Sequence, residues 1–212
     1  IQHDRSFCIF PVVPRRSEQA VAESRATTVQ AATDLASVEG LEGITIGRLA
    51  EDLGMSKSGL IGRFGSKHEM QRAIFVAAID RFTEAVWTPA SGTPPGLPRL
   101  HAIIDAWIDH LRDGVFPGGC FVTTASVEYD ARPDSPLRED VAAAVERWLG
   151  VLEHEASIAQ QAGDLATDRD PADVALELHS LASGGSVAAR VTDSPHRLEA
   201  VRAAMHRVVD AG

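Results

Sequence analysis

The amino-acid sequence predicts an all-helical protein. Aromatic residues make up only 5% of the 212 residues, whereas 44% are hydrophobic. Alanine, leucine and valine dominate that fraction, which favours helices over a β-sandwich. Apolar residues recur at spacings of three and four, and no segment shows the alternation of a half-buried strand. We therefore expect about nine helices and no sheet.

Residues that start or stop helices bound the predicted elements. Thr45 and Ser56 are favourable N-caps for two short helices, and Gly54 suits the end of the first. Ser66, with Glu69 three residues later, forms a capping box that opens a longer helix. The predicted helices cover residues 18–38, 46–53, 56–64, 66–87, 97–112, 120–129, 135–161, 171–192 and 195–210.

The segment over residues 88–98 contains four prolines and two glycines, so it is the best candidate for a domain junction.

The chain carries a net charge of −10, which is distributed unevenly. Residues 1–70 hold 8 basic and 9 acidic residues, whereas residues 71–212 hold 12 basic and 21 acidic residues. We predict an irregular arm over residues 1–16, a first domain over 17–70 and a second helical domain over 71–212.

Composition and motifs argue against several classes of protein. No apolar run approaches the roughly 20 residues needed to cross a bilayer, so no membrane partner is expected. Cys8 and Cys120 lie far apart without a partner motif, which argues against a disulfide framework or a zinc knuckle and for a cytoplasmic protein. The common enzyme signatures are absent. We therefore expect no catalytic residue, no metal and no cofactor.

Residues 45–64, TIGRLAEDLGMSKSGLIGRF, have the pattern of a helix-turn-helix. Ala50 is small enough for the second helix to cross over it, and Gly54 suits a left-handed turn. The residues expected to lock the two helices together are Leu49, Leu53, Met55 and Leu60. The second helix starts with free N–H groups and a positive dipole, which suit a phosphate. Helical proteins that bind no DNA also contain such turns, so the pattern alone leaves both interpretations open.

The wider pattern resembles the TetR family of transcriptional regulators. The matching features are Ala32-x2-Leu35-x4-Gly40, Thr45 with Leu49-Ala50, Gly54-Met55-Ser56-Lys57 and Phe64-x-Ser66-Lys67-x-Glu69. They span about residues 25–70, the DNA-binding domain of that family. The resemblance implies that the helix from Lys57 to Phe64 enters the major groove of double-stranded operator DNA. It also implies a homodimer whose second domain binds a small-molecule effector, although that half agrees only in length and helical layout.

By that resemblance, Thr45, Lys57 and Lys67 contact DNA, largely at phosphates. Lys57 and Ser58 are also the best placed to read bases, and Arg15-Arg16 is either a basic arm or a disordered tail. The full predicted contact set is Thr45, Arg48, Ser56, Lys57, Ser58, Gly59, Ile61, Gly62, Arg63 and Lys67.

Two features depart from the family's pattern. Ile61 stands where the family commonly has a tyrosine, whose hydroxyl often reaches a phosphate. Gly59 and Gly62 each cost about 1 kcal/mol relative to alanine inside a helix. The glycines either let the backbone approach DNA closely or leave a weak helix that orders on binding, and the sequence does not separate these two interpretations.

For the second domain, the resemblance implies an effector cavity among the middle helices and a dimer interface on the last two. The cavity candidates are Trp107, His110, Cys120, Phe121, Thr124, Trp148 and His179. The interface candidates are Leu181, Gly184, Val201, Met205 and Val208. For both sets, ordinary core packing is the alternative interpretation.

These observations together predict a cytoplasmic, homodimeric repressor that leaves its operator when an effector binds. One alternative is a helical small-molecule-binding protein that has lost DNA binding, which Ile61 and the two glycines favour. The other alternative is a small helical enzyme, which no motif supports.

Overall fold

The computed structural model describes residues 18–210, with side chains from Arg25 onward. This range contains only helices and loops, which confirms the predicted all-helical class. Its nine helices are α1 (Glu18–Glu39), α2 (Ile46–Asp52), α3 (Lys57–Phe64), α4, α5 (Leu97–Arg112), α6 (Phe121–Asp130), α7 (Pro136–Ala162), α8 (Pro171–Val191) and α9 (Arg197–Asp210). Helix α4 has three continuous segments: Lys67–Phe82, a π-helical turn over Thr83–Trp87, and Thr88–Ser91. The predicted arm, with Cys8 and Arg15-Arg16, lies outside the described residues.

Side-chain caps start the short N-terminal helices where the sequence predicted them. Thr45 Oγ1 accepts a hydrogen bond from the N–H of Arg48 at 3.0 Å, and Ser56 Oγ accepts one from Gly59 at 3.0 Å. Ser66 caps α4 in the same way. Each cap satisfies a first-turn N–H that has no partner within its helix, so local chemistry defines these three starts.

Helices α1, α2 and α3 pack with the first half of α4 around one apolar core. Residues of that core that are at most 1% exposed include Ala32, Ala36, Leu41, Ile44, Leu49, Leu60, Met70 and Ile74. Between α2 and α3, Gly54 adopts a left-handed φ of +59°, which makes the sharp turn. The predicted helix-turn-helix is therefore present, and α1 and α4 support it.

The remaining helices enclose a second core. Trp107 of α5 lies edge-on to Phe82 of α4 and to Trp148 of α7, with ring centroids 6.0 and 5.1 Å apart. Helix α8 packs against both α7 and α9, and α9 also packs on α5. None of the helices within residues 18–210 combines the length and the apolar character needed to span a membrane.

The predicted junction at residues 88–98 does not begin with a break in the helix. The π-helical turn ends with the N–H of Thr88 bonded to the carbonyl of Thr83, five residues back. Pro89, which has no N–H to donate, then sits in the first turn of the segment that continues to Ser91. The wider turn accommodates the proline, so the helix continues to Ser91. The prediction that this helix ends at about residue 87 was therefore too short.

The rest of the same segment is packed rather than loose. Glu155 of α7 is 1% exposed, and it accepts a hydrogen bond from the N–H of Gly96 at 2.8 Å. Its other carboxylate oxygen pairs with Arg99 at 2.9 Å. The Arg99 guanidinium also lies over the ring of Trp87, 5.7 Å from its centroid. These contacts fasten the segment to α7, so it belongs to the second core.

Helix α6 and the loop before it join the two cores. The N–H of Gly118 donates to Ser37 Oγ on α1 at 2.9 Å. A Cβ on Gly118 would lie only 1.6 Å from the carbonyl oxygen of Ser37, so this close approach requires glycine. Near the end of α6, the Glu128 carboxylate accepts hydrogen bonds from the N–H groups of Leu41 and Glu42, both at 2.8 Å. The α6 region therefore contacts both α1 and the loop that leads into α2.

Candidate nucleic-acid interface and ligand cavity

Helix α3 buries one face and leaves the other open. Leu60 and Phe64 are buried in the N-terminal core. The exposed positions include five of the predicted DNA contacts: Lys57, Ser58, Gly59, Ile61 and Gly62. Ile61 is 46% exposed, so an apolar side chain occupies a surface that is otherwise small and polar. Among the described residues, nothing covers this face, so it can contact a partner molecule.

Lys57 lies across the start of α2. A Cβ on Gly47 would be 3.3 Å from Lys57 Cε and 3.4 Å from its Nζ, and 3.8 Å from Thr45 Oγ1. The ammonium group is therefore close to the cap of α2 as well as to its own position in the first turn of α3. A cation beside the N-terminus of α3 makes this corner attractive to an anion such as phosphate.

The two predicted arginines already have partners in the chain. Arg48, which is exposed, pairs with Glu39 at 3.0 Å and with Asp52 at 2.8 Å. Arg63 donates a hydrogen bond to Thr28 of α1, which draws its guanidinium back towards that helix. Exposed ion pairs contribute little to stability, so Arg48 can exchange its carboxylates for a phosphate at small cost.

Lys67 belongs to a network at the loop before α2. Its Nζ lies 3.0 Å from Glu42 Oε2, and the hydroxyl of Tyr129 donates to Glu42 Oε1 at 3.0 Å. Burial disfavours the Glu42 carboxylate, but the hydrogen bonds from Lys67 and Tyr129 outweigh it and lower its pKa. Lys67 therefore ties α4 to this loop, in addition to its predicted role at DNA.

The two glycines of α3 differ in their surroundings. A Cβ on Gly59 would lie 3.0 Å from Ser56 Oγ, the cap of the helix, whereas one on Gly62 would meet nothing within 4 Å. Packing within the chain therefore gives no reason for glycine at position 62.

An apolar cavity of about 210 Å³ opens beside the π-helical turn. Thr83 and Trp87, the two ends of that turn, line it opposite Trp148 of α7. The other lining residues are Ile79, Phe82, Val122, Ala144, Arg147 and Val151. Typical ligand pockets enclose about 300–1,000 Å³, so the cavity in this conformation suits a small molecule.

Three buried ring nitrogens in the aromatic cluster around the cavity have no hydrogen-bond partner within the described residues: Trp148 Nε1, His110 Nδ1 and His179 Nδ1. His110 packs edge-on against Phe82 at 5.4 Å, and burial lowers its pKa to about 4. Burial also lowers the pKa of His179. Both imidazoles are therefore neutral at pH 7. Unsatisfied buried polar groups cost stability, and these three nitrogens carry that cost in this conformation.

Of the seven predicted effector residues, Trp148 alone lines this cavity. Trp107, His110, Cys120 and His179 are not among its lining residues: Trp107 and Cys120 are buried in the second core, and His110 and His179 pack on Phe82 and Trp107.

Phe121 and Thr124 are also absent from the lining of this cavity and lie on the side of α6 that faces the N-terminal core. Phe121 packs between Phe75 and Phe116 in the N-terminal core, at centroid distances of 6.4 and 5.6 Å. Thr124 lies beside Leu41. Successive residues of a helix point in different directions, so Val122, next to Phe121, lines the cavity instead.

The remaining cavity residues were missed by the sequence reasoning. Most are apolar residues on α4 and α7 that the periodicity assigns to the core, and nothing distinguishes a lining side chain from a packed one in a single sequence. The available signal was Pro89, which favours a kink or an irregular turn just before it if the helix is to continue.

The predicted dimer residues divide between the surface and the interior of the subunit. Met205 is fully buried and Val208 is 7% exposed, because α9 turns both into the core that it shares with α5 and α8. We therefore remove these two from the candidate interface. Gly184 is exposed, and Leu181 and Val201 are half-buried.

Helix α8 carries an uncovered apolar row that the sequence reasoning did not identify. Leu176, Val187 and Val191 are 54%, 50% and 81% exposed. With Gly184, which is also exposed, they follow helical spacing along one side of α8. This row is the better candidate for contact with a second chain.

Two protein-family models match the chain. The model described as bacterial regulatory proteins, tetR family, matches residues 29–74, which contain the helix-turn-helix. The model described as tetracyclin repressor-like, C-terminal domain, matches residues 96–205, just over half of the chain. No curated protein sequence matches the chain.

Several solved structures share the fold. A TetR transcriptional regulator from Chloroflexus aurantiacus superposes with a TM-score of 0.81 at 22% identity, over 89% of this chain and 94% of that one. A CifR cysteine mutant, solved with 26-bp double-strand operator DNA, gives 0.76 at 24%, over 92% and 97%. AibR, solved with isovaleryl coenzyme A and operator DNA, gives 0.63 at 23%, over 75% and 83%. With both halves matched and the helix-turn-helix in place, the chain belongs to the TetR family of DNA-binding transcriptional regulators.

Proposed function

We propose that this regulator is a homodimeric repressor that binds its operator through α3 and leaves it when a small apolar effector enters the cavity beside α4. The observation that carries the proposal is that one short helix, α6, contacts both regions. Val122 lines the cavity, and Glu128, less than two turns later, holds the loop before α2. Regulators of this family are not enzymes, in agreement with the missing catalytic motifs.

At the DNA, we assign the main contacts to Thr45, Lys57 and Ser58, which surround the exposed start of α3. Lys57 supplies a phosphate contact, and Ser58 is short enough to reach a base edge. Ile61 replaces the missing hydroxyl contact with an apolar one, which suits a thymine methyl group. Gly62 lets the backbone approach the sugar-phosphate chain.

A repressor of a bacterial chromosome works in the cytoplasm, so that location remains our prediction.

Two recognition helices must lie about 34–36 Å apart to read successive major grooves, so we propose a dimer. We assign its interface to the apolar row of α8, Leu176, Val187 and Val191, around the exposed Gly184. Exposed apolar rows of this kind gain stability when a second chain covers them. A two-fold axis beside α8 would place the same row on both chains face to face.

The effector proposed for the cavity is small, apolar and uncharged or anionic. Three of the nine lining residues are aromatic and four are aliphatic, so the wall is mainly apolar. Trp148 Nε1 is a buried donor without a partner within the described residues, and a carbonyl or carboxylate oxygen would reach it once the ring turns towards the cavity. Arg147 lines the same cavity, which disfavours a cation. The neutral imidazoles of His110 and His179 add no charge of their own.

Release requires the effector to bind the DNA-free conformation more tightly than the DNA-bound one. The cavity is small, so a ligand that enlarges it has to displace one of its walls. Displacement of Val122 moves α6 as a rigid unit, and Glu128 transmits that movement to the N–H groups of Leu41 and Glu42. The helix-turn-helix begins three residues after Glu42, so its orientation relative to the rest of the chain changes.

A cavity-filling substitution tests the proposal. Ala144 lines the cavity, whereas the neighbouring Ala143 is exposed. We expect Ala144→Met to bind the DNA upstream of the protein's own gene as the native chain does, but to resist release by any small molecule that releases the native chain. Ala143→Met is the control and should be released normally.

Gel-shift titration with and without a library of small carboxylic acids and aromatic compounds measures both properties. Equal release of Ala144→Met and the native chain would reject the cavity as the effector site. Absence of any retardation at low salt would reject the repressor proposal and favour a small-molecule binder.

A further inference from the structure

A separate cluster of polar side chains lies between α5 and α9, outside the DNA-binding face and the cavity. His101 and Asp105 stand one turn apart on α5, and His206 and Asp210 stand one turn apart on α9. The two helices pack together, so each histidine faces the aspartate of the other helix. Two imidazoles and two carboxylates thereby meet at one place.

The donor atoms of this cluster are close to one another. His101 Nε2 lies 2.7 Å from Asp210 Oδ1, and His206 Nε2 lies 3.0 Å from Asp105 Oδ1. The two imidazole centroids are 5.0 Å apart. One donor atom from each of His101, His206 and Asp210 lies within 4.8 Å of the other two.

We propose that His101, His206 and Asp210 bind a divalent transition-metal ion, with Zn²⁺ as the best match. Two imidazole nitrogens and one carboxylate oxygen are ligands that Zn²⁺ prefers, whereas Mg²⁺ and Ca²⁺ prefer oxygen alone. Around a tetrahedral Zn²⁺ the donors lie about 3.3 Å apart. The present separations reach that value with shifts of at most about 1.5 Å, within the range of small side-chain rotations.

The surroundings favour a site that is accessible and partly organised. The side chains of His101 and His206 are 37% and 25% exposed, so an ion can enter from water. Arg202 holds Asp105 at 2.8 Å, which fixes that carboxylate beside His206. Asp105 contacts Nε2 of His206. It therefore orients that imidazole if the ion binds Nδ1, and it becomes a further ligand if the ion binds Nε2.

A metal at this place would fasten the last helix to α5. Helix α9 packs on α8, and α8 carries the apolar row assigned to the dimer interface. The ion would therefore stabilise the packing of the helix that supports this interface. The site was not expected from the sequence, because its donors are split between two helices and His101 and His206 lie 105 positions apart.

Titration of the untagged full-length protein with Zn²⁺, followed by calorimetry, tests the site. The variants are His101→Gln and His206→Gln, since glutamine keeps a hydrogen-bond donor for the facing aspartate but is a poor zinc ligand. His154→Gln is the matched control, because His154 is an exposed histidine on α7. Circular dichroism establishes that each variant is folded.

We expect one Zn²⁺ per chain, an affinity at least tenfold weaker in both site variants, and an unchanged affinity in His154→Gln. Saturating Zn²⁺ should also raise the Tm of the native chain by about 5 °C and raise the Tm of both site variants clearly less. No stoichiometric binding by the native chain, or equal binding by all four proteins, would overturn the proposal and leave two ordinary histidine–aspartate pairs.

Discussion

The hydroxyl of Tyr129 donates a hydrogen bond to Glu42 Oε1 at 3.0 Å, across 87 positions of sequence. Tyr129 is 1% exposed. Burial, together with the nearby charge of Glu42, raises the pKa of Tyr129 far above its usual range. The hydroxyl therefore keeps its proton and remains a donor throughout the pH range in which the protein works. This bond links α6 directly to the loop that precedes the helix-turn-helix.

Replacement of Tyr129 by phenylalanine removes only that hydroxyl. The free energy of unfolding should fall by about 1–2 kcal/mol, because the bond to a charged acceptor is lost while Lys67 still pairs with Glu42. Urea unfolding measures the change. If the native chain and Tyr129→Phe unfold at the same urea concentration, water satisfies Glu42 equally well. The hydrogen bond from Tyr129 to Glu42 then contributes nothing to stability.

Gly62→Ala should make the protein more stable and a weaker DNA binder. The new methyl group meets nothing within the chain, so better helix propensity should add about 1 kcal/mol. At the DNA surface the same methyl group holds the backbone away from the phosphates, and we expect about tenfold weaker operator binding.

Gly150→Ala is the control for Gly62→Ala, since Gly150 is an exposed glycine inside α7 whose added Cβ would also meet nothing. It should stabilise the protein equally without changing operator affinity. Thermal unfolding and fluorescence anisotropy separate the two effects. Undiminished operator binding by Gly62→Ala would favour the weak-helix interpretation over close approach.

Lys57→Ala should weaken binding to all DNA sequences and flatten its salt dependence. A lysine that contacts one phosphate releases about one counterion, so the slope of log K against log salt should drop by about one. Arg207→Ala, at an exposed position of α9, removes the same charge far from α3 and should leave the slope unchanged. Equal slopes for Lys57→Ala and the native chain would remove Lys57 from the phosphate contacts.

Val187→Asp should convert the proposed dimer to monomers and thereby weaken operator binding. Val187 is 50% exposed in the middle of the apolar row, where two aspartates facing each other across a two-fold axis would repel and lose hydration. Val127→Asp, at a 67% exposed valine of α6, is the matched control. Sedimentation equilibrium reports the mass, and a dimer that persists in Val187→Asp would move the interface elsewhere.

Stability should decrease in mild acid because of His110. Burial lowers its pKa to about 4 from an ordinary 6.5, so the unfolded chain binds this proton more readily than the folded one. The contribution of the neutral His110 side chain to the free energy of unfolding is complete above about pH 6.5 and is lost as the pH falls towards 4. By linkage it amounts to about 2 kcal/mol between pH 7 and pH 5.

His110→Gln, which cannot titrate, isolates that contribution. Urea unfolding at pH 7 and pH 5 should show a loss for the native chain about 2 kcal/mol larger than the loss for His110→Gln. Identical losses in the two proteins would mean that His110 is solvated in the folded state.

The helix-turn-helix was predictable from sequence because its determinants are local. Thr45 and Ser56 cap helices through atoms three residues away, and Gly54 makes the turn by its own φ. The resemblance to the family also rests on local motifs, spread over residues 25–70. Within it, the sequence could not show that Arg48 and Lys67 are already paired, because their partners depend on how α1 and the following loop fold back.

The second half was predictable only as a set of helices. Periodicity identifies an apolar face but not what covers it, so Met205 in the core and Val187 on the surface look alike in sequence. Phe121 was assigned to the cavity for its aromatic ring, whereas the direction of each α6 side chain depends on how that helix is rotated between the two cores. The position of each of these side chains is determined by tertiary packing, which a single sequence does not specify.

Gly118 shows how little variation the boundary between the two halves tolerates. The backbones of the α5–α6 loop and of α1 touch there, and even the smallest side chain would collide with the carbonyl oxygen of Ser37. A library with all twenty amino acids at this position, selected for repression, should return glycine almost exclusively, while the exposed Gly114 nearby, whose added Cβ would meet nothing, should accept asparagine or aspartate. New ligand specificity that evolves in the proposed cavity is therefore expected to leave the contact between Gly118 and Ser37 unchanged.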